Sequence, residues 1–199
     1  MIAMVLPVFE ISDGFFQGVN FVASPNYEAR PAAASIDMLV IHAISLPAGE
    51  FGYQLPTGVS AIEALFTNTL DPSAHSDFVE IADLKVSAHL LVDRLGGVTQ
   101  FVNLNERAWH AGQSNFCGQD NCNDFSIGIE LEGCDDQPFT AIQYRVLGAL
   151  VDALKREYPA IVNDRIVGHS DIAPGRKTDP GPRFDWNLFW ASVSNEERV

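Results

Sequence analysis

The hydrophobic pattern changes period several times along the chain, and each change marks an element. Ile36-Asp37-Met38-Leu39-Val40-Ile41-His42 is a nearly continuous apolar run with β-branched residues. It predicts a strand covered on both faces, with His42 at its C-terminal end. Phe125-Ser126-Ile127-Gly128-Ile129-Glu130-Leu131-Glu132 alternates instead. Phe125, Ile127, Ile129 and Leu131 are expected on one face, and Ser126, Gly128, Glu130 and Glu132 on the other. That second face carries two carboxylates and very little bulk. Two short strands, around 88–93 and 98–103, flank Arg94-Leu95-Gly96-Gly97, where the paired glycines mark a hairpin turn. Sequential antiparallel strands imply a mixed sheet.

Helical spacing governs other stretches. From Thr140 to Glu157 a Thr140/Gln143 capping box opens a helix that buries Ile142, Val146, Leu147, Leu150 and Leu154, and Pro159 ends it. Ser60 and Glu63 repeat the capping spacing and start a shorter helix to about Thr67. Asp185 caps a last helix through about Val193. Arg165-Ile166-Val167-Gly168 reads as a short strand that delivers His169. Residues 1–35 read as an extended or turning lead-in, and 106–123 as a long structureless loop of the kind that is usually functional. Strands interleaved with helices make an α/β chain.

With 199 residues, 47% of them hydrophobic, the chain can bury one sizeable core, so a single domain over 1–199 is expected. The formal charge of -14 disfavours a nucleic-acid partner, which needs a basic surface. Met1 to Glu10 begins apolar but has no basic n-region and soon meets Glu10 and Asp13, unlike a secretory signal. No run approaches the roughly 18 apolar residues that span a bilayer, so a soluble protein with no membrane partner is expected. Cys117, Cys122 and Cys134 form no CxxC pair and suit free thiols in a reducing cytoplasm.

The chemistry gathers in Gly168-His169-Ser170-Asp171-Ile172-Ala173-Pro174-Gly175-Arg176-Lys177-Thr178-Asp179-Pro180-Gly181-Pro182, a loop stiffened by three prolines. Catalytic zinc sites use three protein ligands, commonly imidazole and carboxylate, and keep a fourth position open. His42 and His169 follow predicted core strands. Asp171 and Asp179 are the local third ligands; Asp171 follows His169 too closely to swing easily onto the same ion, whereas Asp179 ends a loop that can fold back. Taken singly, each reads first as a buried structural histidine or a turn cap. Glu130 reads equally as a solvated strand residue, as Glu132 does, and spacing alone does not separate these readings.

Several longer motifs do. His42-Ala43-Ile44-Ser45-Leu46-Pro47-Ala48-Gly49-Glu50-Phe51-Gly52, Val86-Ser87-Ala88-His89, Ala108-Trp109-His110-Ala111-Gly112, Cys122 through Gly133, and Gly168 through Pro182 follow one another in a single register. Together they resemble the AmpD family of zinc-dependent 1,6-anhydro-N-acetylmuramoyl-L-alanine amidases of bacterial cell-wall recycling, over residues 24–192. The resemblance implies one α/β domain, a mixed central β-sheet flanked by α-helices, with 1–23 as an N-terminal lead-in. It implies one zinc ion on His42, His169 and Asp179, with Glu130 and Lys177 as catalytic residues. Glu130 would move a proton from water to the leaving amine and Lys177 would stabilise the oxyanion. The implied substrate is a small muropeptide, cut between the lactyl group of the sugar acid and L-alanine. Trp109, His110 and Lys85 would contact it, and zinc, Lys177, Arg176, Arg107 and Lys85 supply positive charge in an acidic chain. No obligate protein partner is implied.

Three positions depart from the commoner family pattern. Ala43 follows the first histidine where asparagine is frequent, and Lys85 and Asn121 stand where arginine grips the peptide end. Lysine lacks the bidentate fork and asparagine has no charge, so peptide preference is not legible. His89 is expected to be structural and His75 superficial. The rival readings are a peptidoglycan-binding module of the same fold, which would lack a metal ligand, and an envelope amidase acting on intact peptidoglycan. A serine hydrolase on Ser170 and His169 lacks the nucleophile elbow, and no basic context activates a cysteine.

Overall fold

In a computed structural model, which describes residues 8–194, six strands form one mixed sheet. They are β1 (Asn20–Phe21), β2 (Met38–Ile44), β3 (Leu90–Val92), β4 (Val98–Gln100), β5 (Ser126–Glu132) and β6 (Ile166–Gly168), in the order β6-β2-β5-β3-β4-β1. β2 and β5 lie at the centre, parallel and paired over seven residues each. Only the β3–β4 hairpin is antiparallel. The mixed sheet follows from that glycine turn, as the sequence predicts. The first seven residues of the Met1–Glu10 stretch lie outside the described residues.

One sheet face is a hydrophobic layer. Leu39 and Ile41 of β2 and Ile127, Ile129 and Leu131 of β5 pack against Val146, Leu147, Leu150 and Leu154 of helix α2 (Ala141–Glu157) and Phe189 of α4 (Trp186–Ser192). In this chain-order numbering α1 spans Ala61–Phe66 and α3 spans His169–Ile172. The α2 capping box is present, Asp185 accepts from Asn187 and Leu188 N–H groups, and Ser60 caps α1. Gly148 lets α4 close on α2: a Cβ there would sit 2.3 Å from the Ser192 carbonyl oxygen.

The other face carries Met38, Val40 and His42 beside Ser126, Gly128 and Glu130, covered by α1, by the segment before β5 and by α3. Here the structure corrects several expectations. Phe125 precedes β5 with a ψ of 7°, which breaks the alternation, and packs with Met38, Val40 and Ile172 rather than beneath α2. Glu132 is buried, not solvated, because the Gly52 and Arg94 N–H groups donate to it. The 106–123 segment is not structureless: Glu106–Ala108 pairs with Tyr27–Ala29, and Asn115–Phe116 pairs with Gln119–Asp120. Residues 1–35 hold more than a lead-in, since β1 closes one sheet edge.

Arg30 explains how that early segment is fastened. Its guanidinium donates to four carbonyls, those of Asn123, Asp124, Leu104 and Ser126, at 2.9–3.2 Å. Three of these acceptors lie at or just before the start of β5 and the fourth in the loop after β4, so one side chain ties the two together.

Candidate metal and active site

β2 does not stop at His42; Ala43 and Ile44 continue it, and His42 leaves the sheet on the face away from α2. Across the β2–β5 ladder it stands beside Glu130. His169 is not in a loop but opens α3 directly after β6, where the carboxylate of Asp171 accepts from Gly168 N–H at 2.7 Å. That bond uses Asp171 as a cap. The loop then folds back as its prolines and glycines allow, and Ser170 N–H donates to the Asp179 carbonyl at 2.9 Å. Asp179 thereby reaches the histidines.

His42 Nδ1 lies 3.0 Å from His169 Nδ1, and Asp179 Oδ2 lies 3.2 Å and 3.0 Å from the two nitrogens. The hydrogen-bond network assigns the tautomers. His169 Nε2 faces the Ala111 carbonyl at 3.1 Å, which can only accept, so the proton is on Nε2 and Nδ1 is bare. Ser126 Oγ donates to the Cys122 carbonyl at 2.6 Å, so it must accept from His110 Nε2 at 3.1 Å. His110 Nδ1 is then bare and accepts from His42 Nε2 at 2.9 Å, which leaves His42 Nδ1 bare as well. Burial agrees with neutral rings: it lowers His42 to about 4, and it takes His110, beside His42 and His89, well below the usual histidine range. Two imidazole lone pairs and a carboxylate oxygen thus converge on one point, a donor set that fits a divalent cation. Among the described residues, this is the one such cluster of His, Cys, Asp and Glu.

Glu130 is buried on the cleft floor and its Oε2 has no partner. Burial, then the Asp179 charge, pushes its pKa well above the carboxylate range, with Lys177 opposing. Lys177 is exposed at the rim of the same cleft, a cavity of about 240 Å³. The opposite wall is apolar, with Leu46, Leu65, Phe66, Ile81 and Leu84. No polar motif advertises those residues; only the apolar face of α1 and its neighbours would have pointed to them.

The remaining sequence candidates divide. Trp109 lines the cleft with its indole N–H unpartnered. His110 reaches the wall, but both of its ring nitrogens are engaged inside the protein, against His42 and Ser126. Lys85 does not line the cleft, although Leu84 and Val86 do. Arg107 is ion-paired with Glu28 and Asp124, and Arg176 donates to the Ala111 and Gln113 carbonyls, so neither is a free charge for a ligand. His89 is structural: Gly128 N–H donates to its Nδ1 at 3.0 Å and its Nε2 meets the Glu106 carbonyl. His75 caps the short helical turn Ser76–Phe78.

Comparison with known proteins agrees with this arrangement. Residues 32–182 match the N-acetylmuramoyl-L-alanine amidase family model. The 1,6-anhydro-N-acetylmuramyl-L-alanine amidase AmpD of Escherichia coli K12 is 50% identical over 186 residues, 94% of this chain and 98% of that protein. A crystal structure of a selenomethionine AmpD derivative superposes with a TM-score of 0.87 at 50% identity, covering 92% of this chain and 99% of the other. The Pseudomonas aeruginosa protein AMPDH3, solved in complex with anhydromuramic pentapeptide, is more distant, at 26% identity and a TM-score of 0.56 over 87% of this chain and 66% of that one. The chain belongs to the N-acetylmuramoyl-L-alanine amidase family, in its AmpD branch.

Proposed function

We propose that the chain is the hydrolase that cuts the amide between the lactyl group of 1,6-anhydro-N-acetylmuramic acid and L-alanine, with one zinc ion on His42, His169 and Asp179. The convergence of those three ligand atoms beside an unpartnered buried glutamate carries the reading. Bound zinc supplies a Lewis acid and a nucleophile competent at neutral pH.

The chain's own residues do the rest. Glu130, buried and without a partner, would be ionised by the positive charge of the bound cation; its carboxylate then accepts the proton of the attacking water and returns it to the leaving amine. Lys177 at the rim offers positive charge to the oxyanion, an interaction that typically contributes about 100- to 1000-fold. Trp109 lines the cleft, where its indole ring can pack on sugar or peptide, and the apolar wall excludes water behind the amide. Lys85, between two cleft-lining residues, offers a further positive charge for peptide carboxylates. The proposed compartment is the cytoplasm, in keeping with three free cysteines.

Mass spectrometry of an anhydromuropeptide incubated with the protein tests this directly. Release of free peptide should stop on chelation and return with zinc. Binding without cleavage by the zinc-replete protein would assign it to peptidoglycan recognition instead.

A further inference from the structure

We propose that His110 is a positioning residue for the metal site: with Ser126 it fixes the tautomer and ring orientation of His42, and it does not contact substrate. The inference rests on the metal-site reading above. A chain of three hydrogen bonds runs from the cleft into the protein, His42 Nε2 to His110 Nδ1 at 2.9 Å, His110 Nε2 to Ser126 Oγ at 3.1 Å, and Ser126 Oγ to the Cys122 carbonyl at 2.6 Å. Because it ends on a backbone oxygen, which has no proton to give, it admits one direction only. Every proton points away from the metal position, and His42 Nδ1 is left bare toward it.

The fold holds the middle link tightly. The His110 ring lies against the bare backbone of Gly128, where a Cβ would stand 2.4 Å from His110 Cγ. Asn123 Oδ1 accepts from the His110 and Ala111 N–H groups, fixing the backbone that carries the ring. The small polar face of β5 is thereby explained: Ser126 terminates the chain, Gly128 makes room for the ring, and Glu130 enters the cleft. Outer partners of metal-bound histidines commonly contribute about 10- to 100-fold in metal affinity.

The test measures zinc affinity by competition with a chromophoric chelator. It pairs this with the His42 ring-nitrogen shifts in ¹⁵N-labelled protein, which distinguish the two tautomers without any turnover. His110→Phe should weaken zinc roughly 10- to 100-fold and leave metal-free His42 a mixture of tautomers. His110→Asn, which returns an acceptor near the Nδ1 position, should recover most of the affinity. Ser126→Ala, remote from the ion, provides the second variant if His110→Phe does not fold, and should shift the tautomer in the same sense. Wild-type affinity and an unchanged Nε2–H tautomer in folded His110→Phe or Ser126→Ala would overturn the inference while leaving the metal site standing. A wild-type protein that binds no zinc would overturn both.

Discussion

Glu130 and His42 are register partners on the two central parallel strands, so the proposed proton acceptor and a candidate metal ligand leave the sheet side by side on the same face. Adjacent strands are held about 4.8 Å apart by their hydrogen bonds. The spacing of base and ligand is therefore set by the sheet and not by a loop.

Glu130→Gln should lower turnover at least about 100-fold with zinc still bound, as read by the peptide-release assay and metal analysis. The same change should stabilise the metal-free protein. Burial and then Asp179 raise the Glu130 pKa, so the folded chain holds a proton there that the unfolded chain releases. The stability this gives wild type is complete below the unfolded glutamate value of about 4.3 and is lost as pH rises through the raised folded value. In urea melts the advantage of E130Q should therefore grow as pH rises above the unfolded glutamate value of about 4.3. An advantage that shrinks with rising pH would contradict the raised value.

Lys177 is exposed and makes no contact with the metal-binding atoms, so Lys177→Met should leave zinc stoichiometry and melting temperature near wild type. Its kcat should fall roughly 100- to 1000-fold with little change in KM. Loss confined to KM would make Lys177 a substrate anchor rather than an oxyanion partner.

Asp171 and Asp179 should separate cleanly. Asp171→Ala removes the cap on Gly168 N–H and should cost about 1 kcal/mol of stability while metal content stays at one zinc. Asp179→Ala should lose the zinc and activity together. Differential scanning fluorimetry with metal analysis checks both, and an Asp171 variant isolated without metal would reverse the assignment.

Gly148→Ala tests the packing beneath the site. Alanine favours helix by about 1 kcal/mol over glycine, yet its methyl would meet the Ser192 carbonyl, and overpacking of this kind costs about 1–3 kcal/mol. A net loss of about 1 kcal/mol should appear in denaturant melts. A gain would mean that α4 moves away at little cost.

The periodic signals of this chain were legible because they come from burial on a regular lattice. β2, α2 and the β3–β4 hairpin stand close to where the pattern puts them, and the motifs carried His42, His169 and Asp179 to one point. The expectations that failed share a different cause. Glu132 and Phe125 depend on tertiary neighbours, namely the Gly52 and Arg94 N–H groups and the Met38–Ile172 layer, which no local pattern encodes. The pairing of Glu106–Ala108 is set by residues some 80 positions earlier, Tyr27 to Ala29. The buried place of His110 became visible only once β5 supplied the glycine floor beneath its ring.

The guanidinium of Arg30 bridges the Leu104 carbonyl and the carbonyls around the start of β5, which limits where the chain can be trimmed. A shortened version beginning at residue 31 would still contain every residue of the metal cluster and the whole 32–182 family match. It would lack the side chain that ties Leu104 to the turn before Ser126. Shortening for crystallography or for a minimal catalyst should stop well ahead of Arg30, because the strand at Asn20–Phe21 and the core residue Phe16 belong to the folded unit although the 32–182 family match omits them.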